Sequence, residues 1–207
     1  MKDPTLEDRI VSLVSEDPDF RELSVSTDVY CPFDALGAVR AELRHSNFLA
    51  DILSPAKPHG FGDHFARAFV DLALSLTGDG EARLDLHLAE MSRIDVRREW
   101  RSIDLLLHLP MSQRDIVVVI EIKVDAAEGG DQLERYEAVA ASAFPGANLK
   151  HIFLTPDGRE ASRESWASLC FASLVDTLES APHNTSGDPV ARNMLAAYCR
   201  MIRRHHM

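Results

Sequence analysis

The sequence lacks the features that define several large protein classes. No apolar run approaches the roughly 18 residues that a membrane-spanning helix needs, and the polar, acidic start MKDPTLEDRI is unlike a signal peptide. Only three of the 207 residues are cysteines, and they are widely spaced without a C-x-x-C pair, which argues against a zinc ribbon or a dithiol redox site. We therefore expect a cytoplasmic protein with no membrane partner.

Two common enzyme signatures are also missing. The chain contains no G-x-S-x-G element, which would place a serine nucleophile on a sharp turn, and no Gly-rich loop that ends in Gly-Lys. The sequence thus offers no support for a serine hydrolase or a P-loop ATPase.

Positive charge is scarce, with 22 basic against 33 acidic residues and a formal net charge of -11. Binding that wraps nucleic acid without specificity draws on many Lys and Arg, so this charge argues against such a role but not against a nucleic-acid enzyme. One basic cluster, in which a polyanion can be met, contains Arg93, Arg97, Arg98 and Arg101. The acidic excess favours a basic partner or subunit that delivers the substrate, and a homodimer is the other assembly we expect.

The composition and the hydrophobic pattern predict one α/β domain. A chain that is 45% hydrophobic and 27% charged is globular, and we expect a single domain over 1–207 with a helical N-terminal extension over 1–33. Helical periodicity and end signals predict helices over 6–14, 34–53, 63–76, 131–143, from 173 onward and over 189–204. Extended segments are predicted over 84–89, 94–100, 102–109, 116–124, 151–155 and 169–171.

The two most apolar segments indicate how the layers are arranged. SIDLLLHL and IVVVIEIKV do not alternate cleanly between apolar and polar residues, so helices are expected to cover both faces of their sheet. The expected fold is a three-layer α/β/α sandwich with a mixed central sheet and a hairpin of these two segments at its centre.

Two charged residues, Glu121 and Lys123, interrupt the second of these strands. Their i, i+2 spacing sends both side chains to the same face, so they can share one pocket. If the hairpin pairs Leu109 with Ile116, Asp104 lies directly across from Glu121. The sequence therefore predicts two carboxylates and an ammonium group side by side.

This arrangement predicts a metal site for phosphodiester hydrolysis. Facing carboxylates repel each other unless a proton or a cation lies between them, and oxygen ligands without thiolates favour Mg²⁺ or Mn²⁺. Lys123 can orient or deprotonate a water molecule and neutralise charge on a phosphoryl oxygen. The alternative is a Glu121–Lys123 ion pair that is merely buried, or a strand end that reaches solvent.

Residues downstream support the catalytic interpretation. Gln132 and Tyr136 are spaced i, i+4 on one face of the helix that follows the strand, within reach of a phosphate at the site.

With these residues in place, the chain resembles the PD-(D/E)XK nuclease superfamily over roughly residues 34–157. The pattern consists of Asp104, then Glu121-Ile122-Lys123, then Gln132-x-x-x-Tyr136, and the last element is similar to the branch of RecB-type and lambda-exonuclease-like nucleases. AELRHSNFLADILSP followed by HGFGDHF is similar to a bacterial subgroup of the superfamily. Ile103 stands where the superfamily's name has Pro, and Ile122 stands where the subgroup often has Asn.

The resemblance implies a restriction-endonuclease-like fold and a role for each residue. Asp104 and Glu121 would bind the metal with the carbonyl oxygen of Ile122, and Lys123 would be the catalytic lysine. Glu42 would be the acidic residue that an early helix contributes beside the metal. Gln132 and Tyr136 would position the substrate.

Other candidates have two interpretations each. Glu99 is either a further metal ligand or a member of a surface salt bridge with the surrounding arginines. His45 either hydrogen-bonds a phosphate, which would make it a third substrate-positioning residue, or fixes its helix against the sheet. His59 and His64 have the wrong spacing for a helical metal pair, and we expect them to be structural.

The residues and the resemblance together predict a metal-dependent DNA hydrolase, either an endonuclease or an exonuclease. A role in defence or repair is an expectation from the resemblance alone. The alternative is a non-catalytic module that uses the same fold to bind a protein or nucleic-acid partner.

Overall fold

A computed structural model describes residues 5–19, 29–180 and 187–207. The chain divides into two compact units, Met1–Pro32 and Phe33–Met207. Helix α1 (Leu6–Glu16) lies in the first unit, where we predicted a helix over 6–14. The second unit contains the sheet.

The remaining helices follow from Pro32 onward. None of the helices in the described residues combines the length and the apolar character that crossing a bilayer requires. A short 3-10 helix (Met91–Arg93) precedes the first strand. The α-helices are α2 (Pro32–Ala35), α3 (Glu42–Ile52), α4 (His64–Leu76), α5 (Gly80–His87), α6 (Gln132–Ala143), α7 (Phe171–Ser180) and α8 (Pro189–His205).

Five strands form one mixed sheet in the order in which they occur in the chain. The first three are antiparallel neighbours joined by hairpins, and the last three are parallel neighbours. A parallel connection needs a crossover, which α6 supplies between the third and fourth strands. The strands are β1 (Asp95–Trp100), β2 (Ile103–Leu109), β3 (Ile116–Ile122), β4 (Asn148–Thr155) and β5 (Trp166–Cys170).

Helices cover both faces of the central strand, as the sequence predicted. All seven residues of β3 are buried. Val117 and Val119 pack on one face in a cluster with Leu133, Tyr136 and other residues of α6 and the sheet. Helices α3, α4 and α7 also contact the sheet. The expected three-layer α/β/α architecture with a mixed sheet is confirmed.

Two predicted elements were wrong. The long helix expected over 34–53 is broken, because Gly37 adopts a left-handed φ of 62° and Ala38 N–H donates to Phe33 O at 2.8 Å, which ends α2. The extended segment expected over 84–89 is mostly helix α5. Of its alternating leucines only Leu86 is buried, whereas Leu84 is 71% exposed and Leu88 is 91% exposed.

Asp79 explains why α5 forms there. Its Oδ1 accepts from Ala82 N–H at 3.0 Å and so caps the helix. Its Oδ2 accepts from Asn148 Nδ2 at 2.8 Å and pairs with Lys150 Nζ at 2.9 Å, both on β4. One carboxylate thus starts α5 and ties it to the sheet.

We expect Asp79→Ala to destabilise the protein by about 2 kcal/mol, because a helix cap and two contacts to β4 are lost. Hydrogen bonds from Asn148 and Lys150 lower the pKa of Asp79 to about 2. A lowered pKa means that the stabilisation is present above about pH 4 and is lost as the pH falls toward 2. The difference in unfolding free energy between wild type and Asp79→Asn, measured in urea, should therefore shrink from pH 5 to pH 3.

Asp85→Asn is the matched control, since Asp85 is exposed on the same helix. If that variant shows an equal loss of stability, or if the effect of Asp79→Asn is the same at pH 3 and pH 5, this assignment is wrong.

Candidate active site

The hairpin of β2 and β3 has the register that we predicted. Leu109 pairs with Ile116 and Leu105 pairs with Ile120. The next pair in this register is Asp104 with Glu121, and directly opposed residues of antiparallel strands point to the same face. The two carboxylates interact electrostatically, since the charge of Asp104 contributes to the raised pKa of Glu121.

Glu121 is fully buried and its two oxygens have different surroundings. Oε1 lies 2.5 Å from Lys123 Nζ and accepts from Gln132 Nε2 at 2.6 Å. Oε2 is buried without a hydrogen-bond partner. Burial and the nearby charge of Asp104 raise the pKa of Glu121 to about 7, against the opposing effect of Lys123. Lys123 and Gln132 therefore hold Oε1 of Glu121, whereas Oε2 is left without a hydrogen-bond partner.

Asp104 is also held by one oxygen. Its Oδ2 accepts from the backbone N–H of Ile122 at 2.8 Å, a contact across the hairpin. Burial raises the pKa of Asp104, while this hydrogen bond and the charge of Lys123 act in the opposite direction. The bond fixes the carboxyl group beside the end of β3.

Lys123 is surrounded by acidic groups. Besides Glu121, its Nζ lies 3.6 Å from Glu42 Oε2. Burial disfavours the ammonium form, but Glu121, Glu42 and Asp104 outweigh this effect and raise the pKa of Lys123. The side chain is thus a cation at neutral pH, which suits it to donate a hydrogen bond and not to accept a proton.

Glu42 joins helix α3 to the end of β3. It is the first residue of α3, where the helix dipole favours a carboxylate. Its Oε1 accepts from Val124 N–H at 3.1 Å while Oε2 faces Lys123. This contact spans 82 residues of sequence and brings the early helix to the site.

Gln132 and Tyr136 lie at the start of α6, next to Glu121. Gln132 Nε2 donates to Glu121 Oε1 and, at 2.9 Å, to the Tyr136 hydroxyl. Tyr136 is buried, and burial raises the pKa of its hydroxyl. The structure thus brings six predicted residues into one network: Glu42, Asp104, Glu121, Lys123, Gln132 and Tyr136.

The other predicted residues lie differently. His45 is buried, with Nδ1 3.0 Å from the Tyr198 hydroxyl and Nε2 2.9 Å from Val39 O, so neither ring nitrogen is left for a phosphate. The packing interpretation of His45 therefore replaces the substrate-positioning one. Glu99 is exposed with a left-handed φ of 51° and makes no ion pair with a described arginine. Its negative charge contributes to the raised pKa of Asp104.

His59 is structural, as expected. Its Nε2 lies 2.9 Å from Ser54 O, and its Nδ1 accepts from Phe61 N–H at 3.0 Å. His64 lies beside Asp63, with 3.5 Å between Nδ1 and Oδ1.

The sequence did not reveal how the loop between β3 and α6 is held. Glu128 accepts from Ser162 N–H at 3.0 Å and from the Ser162 hydroxyl. Arg159 Nη2 donates to Ala126 O at 2.7 Å. Each contact joins segments more than 30 residues apart, so no local pattern could have indicated it.

The chemistry of the two carboxylates suits a hard divalent cation. An unpartnered buried oxygen such as Glu121 Oε2 is costly, and a positive ion beside it would provide a partner and relieve the repulsion from Asp104. Within the described residues, no three His, Cys, Asp or Glu side chains form a cluster that could hold a metal ion. A site here would therefore need backbone oxygen as well, such as the carbonyl of Ile122.

Comparison with known proteins bears on the family resemblance that the sequence motifs indicated. The sequence model of the PD-(D/E)XK nuclease superfamily matches residues 32–204, which include the whole sheet and every residue of the network. No curated protein and no solved structure matches the chain significantly. The resemblance to this superfamily is confirmed.

We expect the stability of Glu121→Gln relative to wild type to rise with pH when metal is chelated. The pKa of Glu121 is raised to about 7 in the folded protein, against about 4.3 in an unfolded chain. A raised pKa means that wild type loses stability as the pH rises from about 4.3 through 7, and the variant avoids this loss. Urea unfolding at pH 5 and pH 8 should show a change of about 1–3 kcal/mol in the difference between the two proteins.

The control is Glu164→Gln, because Glu164 is exposed. Because Glu164 lies outside the network, Glu164→Gln should not reproduce the change expected for Glu121→Gln. A pH-independent difference for Glu121→Gln would contradict the electrostatic description of the site.

Proposed function

Because the chain belongs to the PD-(D/E)XK nuclease superfamily, we propose that it hydrolyses phosphodiester bonds of DNA with the help of Mg²⁺ or Mn²⁺. Membership implies nuclease-type phosphodiester hydrolysis, whereas the DNA substrate and the metal are part of the proposal. The observation that carries it is the buried, unpartnered Oε2 of Glu121 across the hairpin from Asp104. A carboxylate held in this way is preorganised for a cation.

Asp104 and Glu121 would hold the ion through their side chains, with the Ile122 carbonyl oxygen as a third ligand. A bound divalent ion would stabilise the charge that develops on the phosphoryl oxygens. Gln132 and Lys123 both contact Oε1 of Glu121, so Oε2 would be the oxygen that binds the ion.

Lys123 would donate to a phosphoryl oxygen of the substrate. Its pKa is raised, so it carries its proton at neutral pH and can neutralise charge as the bond breaks. Glu42 supports this role, since it contacts both Lys123 and the backbone of Val124. Glu42 would therefore be a positioning residue and not a metal ligand.

We expect Asp104→Asn and Lys123→Met each to lower kcat for DNA cleavage at least about 100-fold, because each removes a group that touches the reacting centre. The assay uses purified full-length protein with linear DNA, circular DNA and RNA, each with Mg²⁺ or Mn²⁺. Cleavage of circular DNA would identify an endonuclease, and cleavage confined to linear DNA an exonuclease.

Glu164→Gln should cleave like wild type, since Glu164 is exposed outside the network. No cleavage by wild type, or full activity of Asp104→Asn, would refute the proposal. Cleavage of RNA but not of DNA would refute the proposal that DNA is the substrate. Calorimetric titration with Mn²⁺ addresses the alternative of a non-catalytic binding module, because a metal site would bind Mn²⁺ and lose it in Asp104→Asn.

We expect Gln132→Ala to reduce kcat about 10- to 100-fold through Glu121, because contacts that orient a metal ligand typically contribute that much to metal affinity or activity. The network predicts weaker Mn²⁺ binding in Gln132→Ala, which a role in substrate contact alone would not cause. Tyr136→Phe serves as the comparison, since it removes a partner of Gln132 but keeps the bond from Gln132 to Glu121. An unchanged Mn²⁺ affinity in Gln132→Ala would show that Gln132 does not orient Glu121.

A further inference from the structure

One arginine at the carboxyl ends of β3 and β4 has no acidic partner for its side chain. Arg159 lies in the segment between β4 and β5 and is exposed. Among the residues that the structure describes, no carboxylate forms an ion pair with its guanidinium group. The nearby carboxylate of Asp157 accepts from the backbone N–H of Arg159 at 3.2 Å. The guanidinium group is therefore available to an anion from outside the chain.

Two arginines in the same region are already paired. Arg163 Nη2 lies 2.9 Å from Glu137 Oε2 on α6, and Arg40 Nη1 lies 3.3 Å from Asp125 Oδ2 just after β3. Their charges are compensated within the chain, which distinguishes them from Arg159.

The basic cluster upstream of Asp104 does not supply this charge either. Arg97 Nε lies 2.6 Å from Asp95 Oδ2, and the guanidinium carbon of Arg101 lies 4.8 Å from the ring centroid of Trp100. Trp100 in turn packs against Phe144, which follows the last residue of α6. These contacts lie at the end of α6 that is away from the carboxylate network.

Phe153 places the guanidinium group of Arg159 beside the network. The guanidinium carbon lies 6.0 Å from the ring centroid of Phe153. Phe153 pairs with Glu121 in the register of β3 and β4, and it packs with Tyr136 on the face of the sheet that α6 covers. Residues paired in this way point to the same face and lie about 5 Å apart, so the guanidinium group is within roughly 11 Å of the Glu121 carboxyl group.

A backbone contact fixes the direction of the Arg159 side chain. Its Nη2 donates to Ala126 O at 2.7 Å, and Ala126 lies in the loop between β3 and α6, three residues after Lys123. A guanidinium group carries five N–H donors, so most of them remain for another acceptor. Their planar fork matches two oxygens of a phosphate group.

Electrostatics explains why the site needs a further cation. Lys123 is half enclosed by acidic groups, with Glu121 Oε1 at 2.5 Å and Glu42 Oε2 at 3.6 Å from its Nζ, and Asp104 adds a third negative charge. A polyanion that approaches this end of the sheet is repelled unless other positive charge is near. Arg159 supplies such a charge on the same face as Glu121.

We propose that the guanidinium group of Arg159, held by Ala126 O and Phe153, binds a phosphate of the substrate strand beside the scissile one. This inference rests on the proposed function, which it deepens by naming a group that receives the substrate strand. Arg159 is a substrate-binding residue and takes no part in the step that breaks the bond.

The experiment measures binding of a fluorescein-labelled single strand and a duplex of about 20 nucleotides by anisotropy, in full-length Asp104→Asn at several salt concentrations. Adding Arg159→Gln should weaken binding of the tighter probe about 3- to 10-fold at physiological salt and lower the slope of log Kd against log salt by about 1. Arg159→Lys keeps the charge and should keep the slope. In protein with intact Asp104, Arg159→Gln should raise KM and leave kcat nearly unchanged.

Arg114→Gln is the matched control. Arg114 is also exposed and also donates to backbone carbonyls, from Nε to Gly146 O at 2.8 Å and from Nη2 to Ala147 O at 3.1 Å. It lies at the opposite end of the sheet, since the eight residues of β4 span about 25 Å. Losing it should change Kd less than about two-fold, and the slope should be that of the parent.

Equal binding by Arg159→Gln and its parent would overturn the inference, as would an equal loss in Arg114→Gln or no DNA binding by the parent. Equal losses in Arg159→Gln and Arg159→Lys with an unchanged salt slope would show that Arg159 only holds the loop at Ala126, and would overturn it too. If wild type binds DNA through Arg159 but cleaves nothing, the proposed function fails and the phosphate site stands. If wild type cleaves DNA and Arg159→Gln leaves KM unchanged, the proposed function stands and this inference fails.

Discussion

The architecture of the site depends on the repulsion between two carboxyl groups that a hairpin register forces together. Asp104 and Glu121 come from adjacent central strands, and burial in the three-layer fold prevents water from screening them. A hydrophobic pair at these positions would pack without such a cost. The surrounding contacts are best understood as the means by which the fold tolerates this pair and orients it.

These contacts come from elements on both sides of the end of β3. Helix α3 brings Glu42 to Lys123 and to the backbone at Val124, and helix α6 brings Gln132 to Glu121. Each helix begins at the site, so a few residues at the two helix starts determine the geometry. The donors converge on one oxygen of Glu121 and leave the other without a partner, an asymmetry that suits a cation site better than a structural ion pair.

The opposite end of the sheet has the inverse character. There the carboxylate of Asp79 accepts hydrogen bonds from the first turn of α5 and from the Asn148 amide, and it pairs with the Lys150 ammonium group. These contacts lower the pKa of Asp79. A lowered pKa marks a carboxylate that the folded state stabilises, whereas the raised pKa of Glu121 marks one that it destabilises. The unfavourable carboxylate therefore lies at the end of the sheet where function is proposed, and the favourable one lies at the other end.

Much of the site could be predicted because strand geometry is a local property. The period of two places Glu121 beside Lys123, a hairpin register places Asp104 opposite, and helical spacing places Gln132 near Tyr136. The alternation of Leu84, Leu86 and Leu88 wrongly predicted a strand. The segment is helical because Asp79 caps the helix start and only Leu86 is buried. The sequence by itself determined the layered fold, the hairpin and the chemical groups at its centre. Only the tertiary structure decided that His45 packs against Tyr198 and which oxygen of Glu121 is left without a partner, since each depends on contacts between distant segments.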